Sequence, residues 1–211
     1  GDGAAVLAAL AALPPGPCFA FARIAVADTP ALVALQDRGM RVVDVTVPLE
    51  AEAEAIPGDA PAAGIRFAGP GDRAGIRALA ERAFSLSRFH LDPAVAPGIA
   101  DRMRADWVDG FFAGTRGSAM AVAESDGLHA GFVLLLGPAD GVVTIDLIAV
   151  DRDARRRGIA AAMIRWAARA LPGCRRLRVG TQAANLPSLR LYESLGFRVV
   201  ATQYALHLHR P

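Results

Sequence analysis

The chain has 211 residues, 53% of them apolar and 21% charged, a globular composition long enough to bury a substantial core. Its 23 basic and 21 acidic residues leave a net charge of +2 with no basic stripe, so nucleic acid is not an expected partner. Every basic residue is Arg and none is Lys, which excludes a P-loop lysine and a Schiff-base lysine; a phosphate must be held by Arg and backbone amides.

The segment Ala4 to Leu13 is apolar without a basic n-region and reads as a helix. No apolar run approaches the roughly 20 residues of a membrane span, so no membrane partner and a cytoplasmic location are expected. Cys18 and Cys174 lack metal-ligand or CxxC spacing and read as packing residues; no metal is expected. After a Pro-rich break come an apolar run, Phe19 to Ala27, and a helix opened by Asp28-Thr29-Pro30, where Asp or Thr caps and Pro suits the first turn. That helix ends at Gly39, and Met40 to Leu49 alternates β-branched residues as a strand does. The stretch Glu50 to Gly64, rich in Ala, Pro, Gly and acids, reads as a linker. It divides the chain into a small N-terminal α/β unit, 1–60, and a larger domain, 61–211.

The larger domain opens with a strand, Ile65 to Ala68, and an amphipathic helix, Asp72 to Phe84, with Ile76, Leu79, Ala80 and Ala83 on one face. An irregular stretch, Ser85 to Pro97, leads to a helix over Ile99 to Gly110. Three strands follow, Ala119 to Glu124, Gly131 to Leu136 and Val142 to Val150, with Asp126-Gly127 and Asp140-Gly141 as hairpin turns. Then come a helix (Gly158 to Leu171), a strand (Leu177 to Thr181), a helix (Pro187 to Leu195) and a final hairpin (Phe197 to Leu208). The class is α+β. The segment Ala201 to Leu208 offers a strand for pairing across a homodimer.

Chemistry concentrates where Val142 to Val150 runs into Asp151-Arg152-Asp153-Ala154, then Arg155-x-x-Gly158-x-Ala160 and a helix. A helix N-terminus leaves amides unpaired and carries partial positive charge, so a pyrophosphate is held there by several N–H groups at once. Gly158 and Ala160 keep side chains out of the way, and Arg155, Arg156 and Arg157 add charge. Downstream, Asn185 is the only asparagine and Tyr192 one of two tyrosines. Ser188 and Tyr192, four apart, share a helix face. Asn185 reads equally as an N-cap, and Tyr192 as a core aromatic with its hydroxyl at the rim.

The strings IDLIAVDRDARRRGIAAAMIRWA and TQAANLPSLRLYESLGFR together resemble the GNAT superfamily of acyltransferases, from Ile65 onward. The resemblance implies a mixed central sheet flanked by helices, acetyl-CoA as cosubstrate and a small-molecule amine as acceptor. It implies that the backbone of Ile148, Ala149 and Val150 pairs with the pantetheine arm, and that the amides of Arg156, Arg157, Gly158, Ile159, Ala160 and Ala161 hold the pyrophosphate. Asn185 and Ser188 then meet the cosubstrate, and Tyr192 lies near its sulfur as proton donor to the thiolate. The strings ALAERAFSLSRFH and LVALQDRGMRVVDVTVPL resemble, more narrowly, dTDP-fucosamine N-acetyltransferases of the WecD type, with His90 and Leu91 as departures. Arg88 and His90 are the candidate contacts to such a substrate. Asp146, on the face of Val150 by the two-residue period, is the candidate general base; it reads equally as a strand-end charge facing solvent. Another amine acceptor, or a non-catalytic acetyl-CoA-binding module, fits the same motifs.

Overall fold

A computed structural model describes residues 3–59, 64–125 and 127–211. Along the chain lie α1 (Gly3–Ala11), β1 (Cys18–Ala25), α2 (Thr29–Asp37), β2 (Arg41–Glu52), β3 (Ile65–Phe67), α3 (Arg73–Ala83), α4 (Arg88–Leu91) and α5 (Ile99–Phe112). Next come β4 (Ala119–Ser125), β5 (Leu128–Ala139), β6 (Val142–Val150), α6 (Ile159–Ala170), β7 (Arg176–Gln182), α7 (Leu186–Ser194), β8 (Arg198–Val199) and β9 (Gln203–Arg210). The strands form one sheet in the order β1-β9-β2-β7-β6-β5-β4-β3, with β8 pairing on β2. Only β6 and β7 run parallel; every other pairing is antiparallel.

Local chemistry explains the element ends. The Asp28 carboxylate accepts the Ala31 N–H at 3.2 Å, capping α2. Asp140 and Gly141 both have positive φ, the pair of left-handed residues a tight hairpin between β5 and β6 requires. The Asp126 half of the other hairpin signal lies outside the described residues.

Strand alternation sends side chains to two faces of the sheet. On one face, Val47, Leu49 and Ala51 of β2 and Val143 and Ile145 of β6 pack with Met163, Ile164 and Ala167 of α6. Further along that face, Ile24, Leu206 and Leu208 pack with Ala31 and Leu35 of α2. On the opposite face, Met120, Phe132 and Leu134 meet Ile76 and Leu79 of α3 and Val108 of α5. That second face is filled only over the β4–β6 side. Over β1, β9, β2 and β7 it carries a cavity.

Three expectations change. The stretch taken as a linker begins as strand, since Glu50, Ala51 and Glu52 belong to β2, and Ile56 is 1% exposed beyond a 3₁₀ turn at Ala53–Ala55. The division at 60/61 falls in residues outside the described ones; β2, from the N-terminal side of it, lies between β9 and β7 in the common sheet. The final hairpin does not form: β8 and β9 both pair with β2. Nor is β9 a free edge for a second copy, because β1 and β2 occupy both its sides.

Gly131 of β5 sets how closely α6 approaches the sheet. A Cβ there would lie 2.9 Å from the Ala149 carbonyl oxygen and 3.0 Å from Met163 Cε. Gly131→Ala is expected to destabilise the fold by about 1–3 kcal/mol through overpacking, read as a lower denaturant midpoint with an unchanged slope.

Candidate active site

Pairing between β6 and β7 runs from Val142–Arg176 to Ile145–Val179 and stops. Both strands continue, to Val150 and Gln182, so the two diverge and leave a wedge between them. Leu135 of β5 faces Ile145 and Leu134 faces Leu147, so Asp146 is the extra residue of a β-bulge. Beyond it, Asp151 N–H bonds Ala130 O at 2.8 Å. By alternation, the N–H and C=O groups of Ile148 and Val150 point away from β5, into the wedge, while those of Ala149 point to β5.

The wedge opens onto the start of α6. The first intrahelical bond there is Ala162 N–H to Gly158 O at 2.9 Å, which leaves the amides of Ile159, Ala160 and Ala161 ahead of it without helical acceptors. Gly158 has φ +78°, and a Cβ on it would meet no protein atom. Glycine is required here by the left-handed backbone, and the space above it is free for an anion. The three arginines separate. Arg155 folds back, its Nε donating to Val150 O and its Nη2 to Ala83 O, both at 3.2 Å. Arg157 donates to Asp153 O in its own loop at 3.1 Å. Arg156, exposed at φ +63°, has no partner among the described residues and is the arginine available to a phosphate.

Asn185 is the N-cap of α7, its Oδ1 accepting the Ser188 N–H at 3.4 Å. Tyr192 is 3% exposed, its ring 5.4 Å from that of Phe197. Burial alone pushes its phenol above the usual tyrosine range. Tyr192 lies on the α6 side of the sheet, the side that Ile148 and Val150 also face.

Across the sheet, a cavity of about 1010 Å³ is bounded by β1, β2, β6, β7 and β9 below and by α4 and α5 above. Asp146 lines it. The bulge reverses the expected alternation: Leu147 and Ala149 pack toward α3 and α5, and Ile148 and Val150 toward α6. Asp146 therefore does not share a face with Val150. Arg116 grips its carboxylate in a bidentate pair, Nε at 2.7 Å and Nη2 at 2.9 Å, and stacks 3.8 Å from the centroid of Trp107. Both Asp146 oxygens are engaged by the one guanidinium.

Arg88 also lines the cavity, its guanidinium 4.3 Å from the Phe21 ring and 4.5 Å from the Phe89 ring. Burial pushes it down to about 10, so it stays charged near neutrality. His90 does not join it. Its Nδ1 meets Ser87 Oγ at 2.6 Å and its Nε2 meets Asp101 at 3.0 Å, tying α4 to α5. Sequence reasoning missed Asp44, Arg104, Arg116 and the cluster in which Asp92 accepts from His207 Nδ1 at 2.6 Å and from His209 Nε2 at 2.7 Å. The one available signal was a charge inside the apolar run Val42 to Leu49, where Asp44 interrupts a strand.

The sequence profile of the acetyltransferase (GNAT) family matches residues 76–197, from within α3 to just past α7. The spore coat polysaccharide biosynthesis protein SpsD of Bacillus subtilis strain 168 is 28% identical over 141 residues, 66% of this chain and 48% of its own length. The chain thus spans about half the length of that relative. An acetyltransferase of the GNAT family from Novosphingobium aromaticivorans DSM 12444 superposes with a TM-score of 0.61 at 22% identity, over 97% of this chain and 80% of its own. A conserved protein of unknown function from Staphylococcus epidermidis ATCC 12228 gives 0.66 at 13%, over 87% and 68%. A tandem GNAT protein from the clavulanic acid biosynthesis pathway gives 0.61 at 14%, over 92% and 65%. At these identities the superpositions speak to the fold alone.

Gly158→Ala forces a non-glycine residue into the left-handed region, and a loss of about 1 kcal/mol in folding stability is expected from the backbone alone. Calorimetric melting of the variant beside the parent checks it.

Proposed function

We propose, for a chain that belongs to the acetyltransferase (GNAT) family, that it transfers the acetyl group of acetyl-CoA to a primary amine bound in the cavity. The observation that carries this reading is the wedge after Ile145–Val179, whose unpaired backbone leads directly to the free amides of α6. The wedge suits an amide-bearing arm, and the helix start suits a pyrophosphate at its end.

Acetyl-CoA supplies an activated thioester; the chain supplies positions and protons. The amides of Ile159 to Ala161, with Arg156, hold the pyrophosphate. The backbone of Ile148 and Val150 takes the pantetheine arm as a strand takes a neighbour, and the Val150 N–H polarises the thioester carbonyl. Arg155 acts from behind, fixing the loop to the end of β6 and to α3 through its two backbone bonds. Asn185 and Ser188 keep α7 in register beside the arm. Tyr192 stays protonated because it is buried, and donates to the departing sulfur. No covalent enzyme intermediate is needed, and Cys174, whose thiol burial pushes up, is poorly suited to form one.

An amino sugar, in particular one linked to a nucleotide, is the acceptor we favour, acted on in the cytoplasm. Support comes from the likeness to a polysaccharide biosynthesis protein and from the arginines lining the cavity.

Two measurements test the reading. Calorimetry is expected to detect acetyl-CoA binding, and a panel of amines assayed by free-thiol release is expected to contain an acceptor; binding with no turnover across the panel would favour a non-catalytic module. Tyr192→Phe is expected to lower kcat about 100-fold with acetyl-CoA affinity and melting temperature retained, since the hydroxyl has no protein partner among the described residues. Unchanged turnover removes Tyr192 as the proton donor.

A further inference from the structure

Two opposite charges stand unpaired in the same cavity. Asp44 is 7% exposed, and its Oδ2 is buried without a hydrogen-bond partner. Arg88 Nε is likewise buried without one. The two residues act on each other electrostatically yet form no ion pair. An isolated buried charge costs several kcal/mol unless a partner compensates it. Two such groups lining one cavity, each with bonding capacity left over, suit a ligand that carries both charges.

The backbone aims Asp44 into this site. Register on β9 shifts between Val42 and Asp44, which makes Val43 the extra residue of a bulge and sets Asp44 on the cavity face with Thr46 and Pro48. Thr46 pairs with Gln182, the last residue of β7, so Asp44 lies two residues beyond the end of that strand. In register it is thus level with the end of the wedge, one strand across from it on the far side of β7. Asp146 lies four residues inside the end of β6, with both oxygens held by Arg116.

Resting on the acetyl-transfer reading above, we propose that Asp44 takes the proton from the acceptor's ammonium while Arg88 and Arg23 hold an oxyanion of the same molecule. The acceptor is then a zwitterionic amine bearing a carboxylate or a phosphate. Burial raises the Asp44 carboxyl above its usual range, against the Val45 N–H, Gln182 of β7, Arg23 of β1 and Arg88 of α4, which all favour its charged form. A carboxylate raised in this way is a better proton acceptor. The ammonium gives one proton to Asp44, and the freed lone pair forms the C–N bond as the C–S bond breaks. Tyr192 protonates the departing sulfur. The second nitrogen proton and the one on Asp44 leave to solvent, from which Tyr192 regains its own.

The signs for stability follow. A carboxyl raised in the folded state loses stability as pH rises from its unfolded value through its folded one, so charged Asp44 weakens the fold at neutral pH. Asp44→Asn is therefore expected to hold or raise the melting temperature at pH 7 while lowering kcat about 100-fold with acetyl-CoA affinity kept within twofold. Arg88→Met is expected to raise KM for acceptors bearing a carboxylate or phosphate about 10- to 100-fold, and more than for amines without one.

The acceptors compared are β-alanine, glucosamine 6-phosphate, glucosamine and propylamine, each with acetyl-CoA. At least one of the first two should exceed both amines that lack an anionic group in kcat/KM by tenfold or more, and which one wins tells carboxylate from phosphate. Calorimetry of β-alanine and glucosamine 6-phosphate without acetyl-CoA reads the oxyanion site alone and should lose its signal in Arg88→Met. If acetyl-CoA does not bind, the family-based reading falls, and calorimetry alone decides the oxyanion site. Equal use of amines without an anionic group, no binding of either β-alanine or glucosamine 6-phosphate, or Asp44→Asn turnover at the parent rate overturns the proposal. A fall in melting temperature that accounts for the lost activity also overturns it.

Discussion

After the Ile145–Val179 pair, β6 and β7 no longer share hydrogen bonds, although both strands continue toward the same end of the sheet. Backbone N–H and C=O groups that lose a strand partner need another. On β6 the need is met on one side only, by β5, through contacts that persist to Val150. The other side stays open, and Arg155 takes only the Val150 carbonyl. An edge that closed fully would satisfy the chain and leave nothing for a ligand. The bulge at Asp146 makes the divergence compatible with a packed sheet, because it turns Ile148 and Val150 toward α6 while Leu147 and Ala149 fill the opposite core.

The wedge separates two chemistries across one sheet. The free amides at the start of α6 and Tyr192 lie on the α6 and α7 side, and the cavity lies on the α4 and α5 side. The two faces communicate where the strands part, beyond the Ile145–Val179 pair. The N-terminal segment enters this arrangement as wall. Its β1 and β2 supply Phe21, Arg23, Asp44 and Thr46 to the cavity, so residues ahead of the family-matched region form part of its lining. The cavity is thus lined by residues from both inside and outside the family-matched region.

How far this was legible follows from how local each feature is. The loop from Arg155 to Ala160, the cap at Asn185 and the apolar face of α3 are set by neighbours within a turn or two, and the sequence shows them. The place of β2 between β9 and β7 is set by partners more than 120 residues away in sequence, as in the Ala51–Leu177 pair, and no local pattern reports it. The Asp146 error has a different cause. Two-residue alternation holds only while every residue is paired, and one bulge reverses all the faces beyond it. Arg156 differs from Arg155 and Arg157 for a similar reason: its positive φ turns its side chain away from the backbone acceptors its neighbours find.

With no lysine in the chain, every fixed cation is a planar guanidinium, and the cavity shows what that permits. Arg88 lies against Phe21 and Phe89, Arg104 lies 4.4 Å from Trp107, and Arg116 stacks on the same indole while gripping Asp146. An ammonium would need full hydration or a carboxylate in each of these places, whereas a guanidinium is satisfied on its faces by aromatic rings and keeps its edges free. The cavity can therefore carry positive charge without matching carboxylates. Of its two acidic side chains, Asp146 is consumed by Arg116, and Asp44 is left with an unused oxygen. An aromatic-backed arginine and an unsatisfied aspartate are complementary needs, and a single molecule bearing an amine and an anion meets both.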